Sequence, residues 1–133
     1  MLTNYFFLLC FSFVVCESEV TDTKGVIRSY NSSSTNKYIS HTNCRWIFRQ
    51  QGGIFLVKFN KFNLESSTGC TKDYVMIQDG TEATSPVIGR FCGDSLPRQL
   101  NTTTGEMLLT FVTDGENNFP GFEMSYERFI EGI

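Results

Sequence analysis

Glu65 and Asp73 stand on either side of a short loop that carries Cys70, and a third carboxylate, Asp114, opens the polar turn Asp114-Gly115-Glu116-Asn117. Carboxylates in this number can exchange protons, hold a hard cation or face water. As a general-acid pair, Glu65 and Asp73 would suit glycoside hydrolysis, but a domain built from 133 residues lacks the deep cleft that this work needs. Nucleophilic catalysis has no better footing. The single histidine, His41, sits in a polar loop with no partnered serine or cysteine and reads as solvated. Zinc would want imidazole and thiolate ligands that the chain does not offer. The chain is read as a non-enzyme, and spacing alone does not separate a carboxylate site from three solvated loop acids.

Strands must deliver these acids. Residues 54–65 begin with Phe55, Val57 and Phe59 on one face of an extended segment and end on Glu65, which makes a core strand feeding the acidic loop. Upstream, Cys44, Trp46 and Phe48 alternate with Arg45 and Ile47, and Gln50-Gln51-Gly52-Gly53 supplies a turn, so the two segments read as a hairpin with Trp46 in the core. Downstream, residues 74–78 form a strand closed by the Asp79-Gly80 turn, and residues 87–93 form its return. Met107, Leu109 and Phe111 face one way on a further strand that ends in the Asp114 turn. Residues 122–126 alternate as the last strand, and Gly25-Val26-Ile27 is a short first one. Short strands separated by turn signals, with no helical period, predict an all-β antiparallel sandwich.

Size and composition agree. One domain fits in 133 residues, without internal repeat or linker, and thirteen phenylalanines and five tyrosines against three prolines favour strands. A net charge of −3 with no basic run argues against nucleic acid as partner. Residues 5–15 are apolar throughout, too short to span a bilayer and placed where a secretory leader has its hydrophobic stretch, although Met1-Leu2-Thr3-Asn4 adds no basic side chain. The expectation is a leader over 1–12, with cleavage as late as 18, no membrane span in the mature chain, a domain over 16–128 and a tail over 129–133. Five cysteines in an exported chain are read as disulfide partners. Cys10 leaves with the leader, so Cys16, Cys44, Cys70 and Cys92 form an even set if cleavage follows Ser12, whereas cleavage after Cys16 or Ser18 removes Cys16 and orphans Cys44. Asn31 and Asn101 begin N-glycosylation sequons in polar loops.

Taken in order, Cys44-Arg45-Trp46, the segment Phe59-Asn60-Lys61-Phe62-Asn63-Leu64-Glu65, Cys70-Thr71-Lys72-Asp73-Tyr74, Phe91-Cys92-Gly93, Phe111-Val112-Thr113-Asp114 and Gly121-Phe122 resemble the CUB domain family, extracellular β-sandwich modules of jelly-roll-like form. The likeness covers residues 16–126. It departs in the first loop, where the family's proline- and tyrosine-rich segment is replaced by residues 29–39 without proline, although Tyr38 matches the second tyrosine of that segment.

The resemblance implies disulfides Cys16–Cys44 and Cys70–Cys92, and closing a loop of the second one's length contributes about 3 kcal/mol in the chain-entropy model. It implies a calcium ion held by Glu65, Asp73 and Asp114, with Asn117 and a carbonyl of Gly115 or Glu116 supplementing them and Tyr38 as a hydrogen-bonding support. Calcium takes six to eight hard oxygens, and an affinity on the order of 10⁻⁴–10⁻³ M is usual for extracellular modules. Without a cation, three converging carboxylates would raise one another's pKa. A lysine or arginine of an extracellular partner would then dock against Glu65, Asp73 and Asp114, with Glu116 at the rim. Two other classes are weighed: glycan binding, as in the single-domain spermadhesin branch, and a structural or oligomerising role through exposed Phe119 or Phe129.

Overall fold

The computed structural model describes residues 4–8, 13–115 and 117–130, with side chains from residue 14 onward. Cys10, Glu116 and the last three residues of the expected tail lie outside the described residues. The strands are β1 (Asn4–Leu8), β2 (Phe13–Val20), β3 (Lys24–Arg28), β4 (Thr42–Arg49), β5 (Ile54–Asn63), β6 (Tyr74–Gln78), β7 (Val87–Phe91), β8 (Leu100–Asn101), β9 (Glu106–Val112) and β10 (Gly121–Phe129), with one 3₁₀ turn at Thr68–Cys70. They form two sheets in the orders β1-β2-β4-β9-β6-β7 and β3-β10-β5-β8. The all-β sandwich is as expected. One pair departs from the antiparallel rule, since β2 runs parallel to β4 with Cys16 opposite Cys44.

Alternation explains what packs where. On β5, Phe55, Val57 and Phe59 are buried between the sheets; from β4 in the other sheet, Phe48 meets Phe55 and Trp46 meets Phe122 of β10. Phe48 stands edge-on to Phe55 at 5.2 Å and to Tyr126 at 5.0 Å, while Phe111 meets Phe122 at 5.1 Å. Such tilted pairs add about 0.5–1.5 kcal/mol each beyond the apolar area they bury. Met107, Leu109 and Phe111 of β9 face this core as read from the sequence. Leu108 is buried too, because β9 is central and Ile47 and Gln78 flank Leu108 on the neighbouring strands.

The expected hairpin of β4 and β5 does not form. β4 bonds to β2 and β9, and β5 bonds to β10 and β8 in the opposite sheet. Gly52 and Gly53, with φ of 80° and 83°, carry the chain from one sheet to the other, and a Cβ on Gly53 would meet the Phe129 carbonyl at 2.7 Å. Alternation tells which face of a strand is buried but not which strand lies beside it. The sequence offers no strand alternation for β2, which joins the end of the apolar run to the acidic residues after it, or for the edge strand β8, which is only two residues long. β1 is the outermost strand on β2, so loss of residues 1–12 would leave the β2–β4 pairing intact. Phe119, expected to be exposed, instead packs against the core, and Phe129 is 45% exposed.

Both disulfides join the expected partners, Cys16 to Cys44 between neighbouring strands and Cys70 to Cys92 between the loop before β6 and the end of β7.

Candidate metal centre

Three strand ends meet at one edge of the sandwich. Glu65 follows β5, Asp73 precedes β6 and Asp114 follows β9, and the antiparallel pairing of β6 with β9, with Tyr74 opposite Val112, sets the latter two side by side. One carboxylate oxygen of each of Glu65, Asp73 and Asp114 lies within 4.8 Å of the others.

The loop that presents Asp73 is built locally. Ser67 Oγ accepts the N–H groups of Thr71 and Lys72, each at 3.1 Å, which folds the loop onto itself, and Cys70–Cys92 anchors it to the end of β7. Asp73 has φ of 49°. Left-handed backbone at a non-glycine residue costs of order 1–3 kcal/mol and persists only where its surroundings hold it. Tyr38 O–H donates to Asp73 Oδ2 at 2.5 Å, and the Asp114 N–H donates to Asp73 Oδ1 at 2.7 Å. The Tyr38 oxygen in turn accepts the Glu65 N–H at 3.2 Å. Tyr38 thus ties two of the three acids together.

Asp73 is 1% exposed. Burial, with the negative charges of Asp114 and Glu65, pushes its carboxyl up to about 6, against the opposing pull of the Tyr38 and Asp114 donors. Burial and the hydrogen bond to Asp73 push the Tyr38 hydroxyl well above the usual phenol range. Among the described residues Glu65 Oε1 is buried with no hydrogen-bond partner, an arrangement that costs about 1–3 kcal/mol unless a cation or donor reaches it.

The donor set is all oxygen, and one buried carboxylate oxygen of the cluster, Glu65 Oε1, has no partner among the described residues. That composition suits calcium better than zinc, which prefers nitrogen and sulfur ligands. Asn117 reaches the cluster through its amide N–H, donated to Glu65 Oε2 at 3.1 Å, and its backbone is left-handed at φ of 57°. Rotation of that amide by half a turn would put its oxygen in the same place. Gly115 lies on the exposed turn after Asp114, where an added Cβ would come within 2.6 Å of His41 Nε2.

Sequence reasoning missed the residues that fix the Asp114 turn. The His41 N–H donates to the Asp114 carbonyl at 2.9 Å, so the residue read as merely solvated holds the third acid through its backbone. Thr113 Oγ1 accepts the Thr42 N–H at 2.9 Å and donates to the Ile39 carbonyl at 2.8 Å. The left-handed φ of 57° at His41 that permits this is invisible in residue type. A threonine placed directly before the acidic turn, Thr113, is the signal for this support that the sequence carries.

A family model described as CUB domain matches residues 16–126. The chain is 38% identical over 119 residues to the zinc metalloproteinase nas-39 of Caenorhabditis elegans, covering 86% of this chain and 13% of that protein. To human cubilin it is 32% identical, over 97% of this chain and 4% of cubilin. Bone morphogenetic protein 1 of Xenopus laevis is 32% identical, over 88% of this chain and 16% of that protein. The chain therefore spans a small part of each of these relatives. Among solved structures, the CUB1-EGF-CUB2 domains of rat MASP-1 match with a TM-score of 0.71 at 27% identity, over 85% of this chain and 42% of that one. The MASP-1 CUB2 domain bound to Ca2+ has the same fold, with a TM-score of 0.69 at 23% identity over 83% of this chain and 96% of that one.

Proposed function

The chain belongs to the CUB domain family of protein-interaction modules, and from that premise we propose that it is an extracellular, non-catalytic, calcium-dependent binding domain that docks a partner protein's lysine or arginine against its carboxylate cluster. The observation that carries this reading is the convergence of Glu65, Asp73 and Asp114, with Glu65 Oε1 buried and partnerless. Glu65, Asp73 and Asp114 would hold the ion, supplemented by Asn117 and a Gly115 carbonyl, with Glu116 at the rim.

The residues' own roles follow from their contacts. Tyr38 keeps Asp73 and the Glu65 backbone in register, and the Asp114 N–H orients the Asp73 carboxylate from the other side. Calcium bound there would neutralise two of the three negative charges and so relieve their repulsion. One negative charge remains. A partner's ammonium or guanidinium meets it through charge-assisted hydrogen bonds, and it approaches from solvent because Glu65 and Asp114 are only partly buried while Asp73 is enclosed. Secretion after removal of residues 1–12 is part of the proposal. Among the described residues no helix is long and apolar enough to cross a membrane.

Calorimetric titration of calcium into chelator-stripped protein tests the reading. The parent is expected to bind with measurable heat, and Asp114→Ala to lose it. Equal heats in the two proteins would remove the cluster from the explanation. A partner captured in calcium should be released by chelator; displacement by free sugar or heparin but not by chelator would favour the glycan-binding alternative.

A further inference from the structure

The two sequons are alike in sequence and unlike in structure. We infer that Asn101 carries an N-linked glycan in the folded protein and that Asn31 does not, so that the sugar stands at the pole of the sandwich away from the acidic cluster. The inference rests on the extracellular reading above.

N-glycosylation replaces one of the two hydrogens on the asparagine Nδ2 with a sugar, which then needs open space around that nitrogen. At Asn31 both hydrogens are engaged. Nδ2 donates to the Pro120 carbonyl at 2.8 Å and to the Asn36 carbonyl at 3.3 Å, and Oδ1 accepts the Ser29 hydroxyl at 3.0 Å. Although the residue is exposed, its amide is therefore a clamp between the loop at 31–38 and the entry to β10. Its neighbourhood is tight as well. A Cβ added to Gly121 would lie 3.4 Å from Asn31 Oδ1. Asn31 also pairs through its backbone with Tyr38, the residue that holds Asp73, so a sugar that broke the clamp would loosen the segment leading to Tyr38.

Asn101 is placed oppositely. It lies on β8, the edge strand of the four-stranded sheet, where Leu100 points into the core and Asn101 points out. Its Nδ2 makes one long bond, to the Thr102 carbonyl at 3.3 Å, and among the described residues its other hydrogen, which the sugar could replace, has no partner. Asn101 pairs with Leu56 near the start of β5, whereas Glu65 follows the far end of that strand. At the usual rise per residue of an extended chain the two are on the order of 25 Å apart. A glycan leaving Asn101 stands over the outer face of the sheet, beside a groove of about 400 Å³ whose walls include Leu56, Val26 and Gln99. There it covers apolar surface and shields a sheet edge from pairing with other chains.

The test is to translate the full chain with microsomes and to secrete it from cultured cells, reading occupancy by endoglycosidase mobility shift and by the Asn-to-Asp mass change at each sequon. The expected result is one glycan. Asn101→Gln abolishes the shift; Ser33→Ala, which destroys the Asn31 sequon but keeps its amide, changes neither mobility nor melting temperature, whereas Asn31→Ala lowers the melting temperature. Sugar on Asn31 of the secreted, folded protein, or a bare Asn101, overturns the inference. If the chain stays outside the microsomes, the extracellular reading fails, and the same chain behind a heterologous leader still decides between the sequons.

Discussion

Asp73 concentrates the conflict between burial and charge. Its carboxyl is enclosed, sits beside two other acids and titrates near 6, above the ordinary carboxylate value of 3.8. A folded state that holds a proton the unfolded chain has released gains stability as pH falls through that window and loses it as pH rises through about 6. Without calcium, the melting temperature should therefore climb between pH 7 and pH 5 so far as this group decides it. With calcium the sign reverses for the ion's contribution, because the ion needs the ionised form. Melting curves in calcium and in chelator should thus be furthest apart at pH 7.5 and converge below pH 6, and a gap that widens on acidification would contradict the assignment. Tyr38→Phe removes the donor to Asp73 and the acceptor for the Glu65 N–H together. It is expected to lower stability by about 1–3 kcal/mol and to weaken calcium binding in the same calorimetric titration.

At the scale of elements, the hydrophobic core and the acidic edge should respond to different substitutions. Phe55 is fully buried and meets Phe48 and Tyr126, so Phe55→Ala is expected to cost about 3–5 kcal/mol by denaturant unfolding while leaving the calcium affinity of the folded fraction unchanged. Replacing Cys70 and Cys92 together by serine frees the loop that presents Asp73. Here stability should fall by about 3 kcal/mol and calcium affinity should fall with it. If both variants kept the parent's affinity, the loop would not be what positions Asp73. This division also accounts for what could be read in advance. The inward faces of β4, β5, β6, β9 and β10 were legible because period-two alternation records burial directly. Their neighbours were not, since the turn after β4 looks like a hairpin turn while Gly52 and Gly53 in fact lead into the other sheet. The acids were identified through the family pattern around them. The left-handed His41, Asp73 and Asn117 that aim and support them were hidden, because a side chain's type does not announce its backbone angle.

The whole molecule folds around a single core, yet it corresponds to only 13% of the nematode relative and 4% of human cubilin. A module that buries its own aromatic centre and carries two disulfides in its longer sheet is expected to fold without neighbours, so the proposed ion should bind the isolated chain as it would a longer protein. Linkage then fixes how global stability must follow calcium. An ion that binds only the native state adds RT ln(1 + [Ca]/Kd), which for a Kd of about 10⁻⁴ M is roughly 1.4 kcal/mol at 1 mM and grows by a similar amount per further tenfold rise. In a domain of this size that is a rise of a few degrees in melting temperature at each step. The melting temperature should be flat below Kd and linear in the logarithm of calcium above it. Magnesium should produce much less, because it demands near-ideal octahedral geometry at shorter distances and gives up its waters reluctantly. An equal response to both ions would point to screening of a net charge of −3 rather than to a built site, since screening depends on ionic strength and not on which divalent ion supplies it.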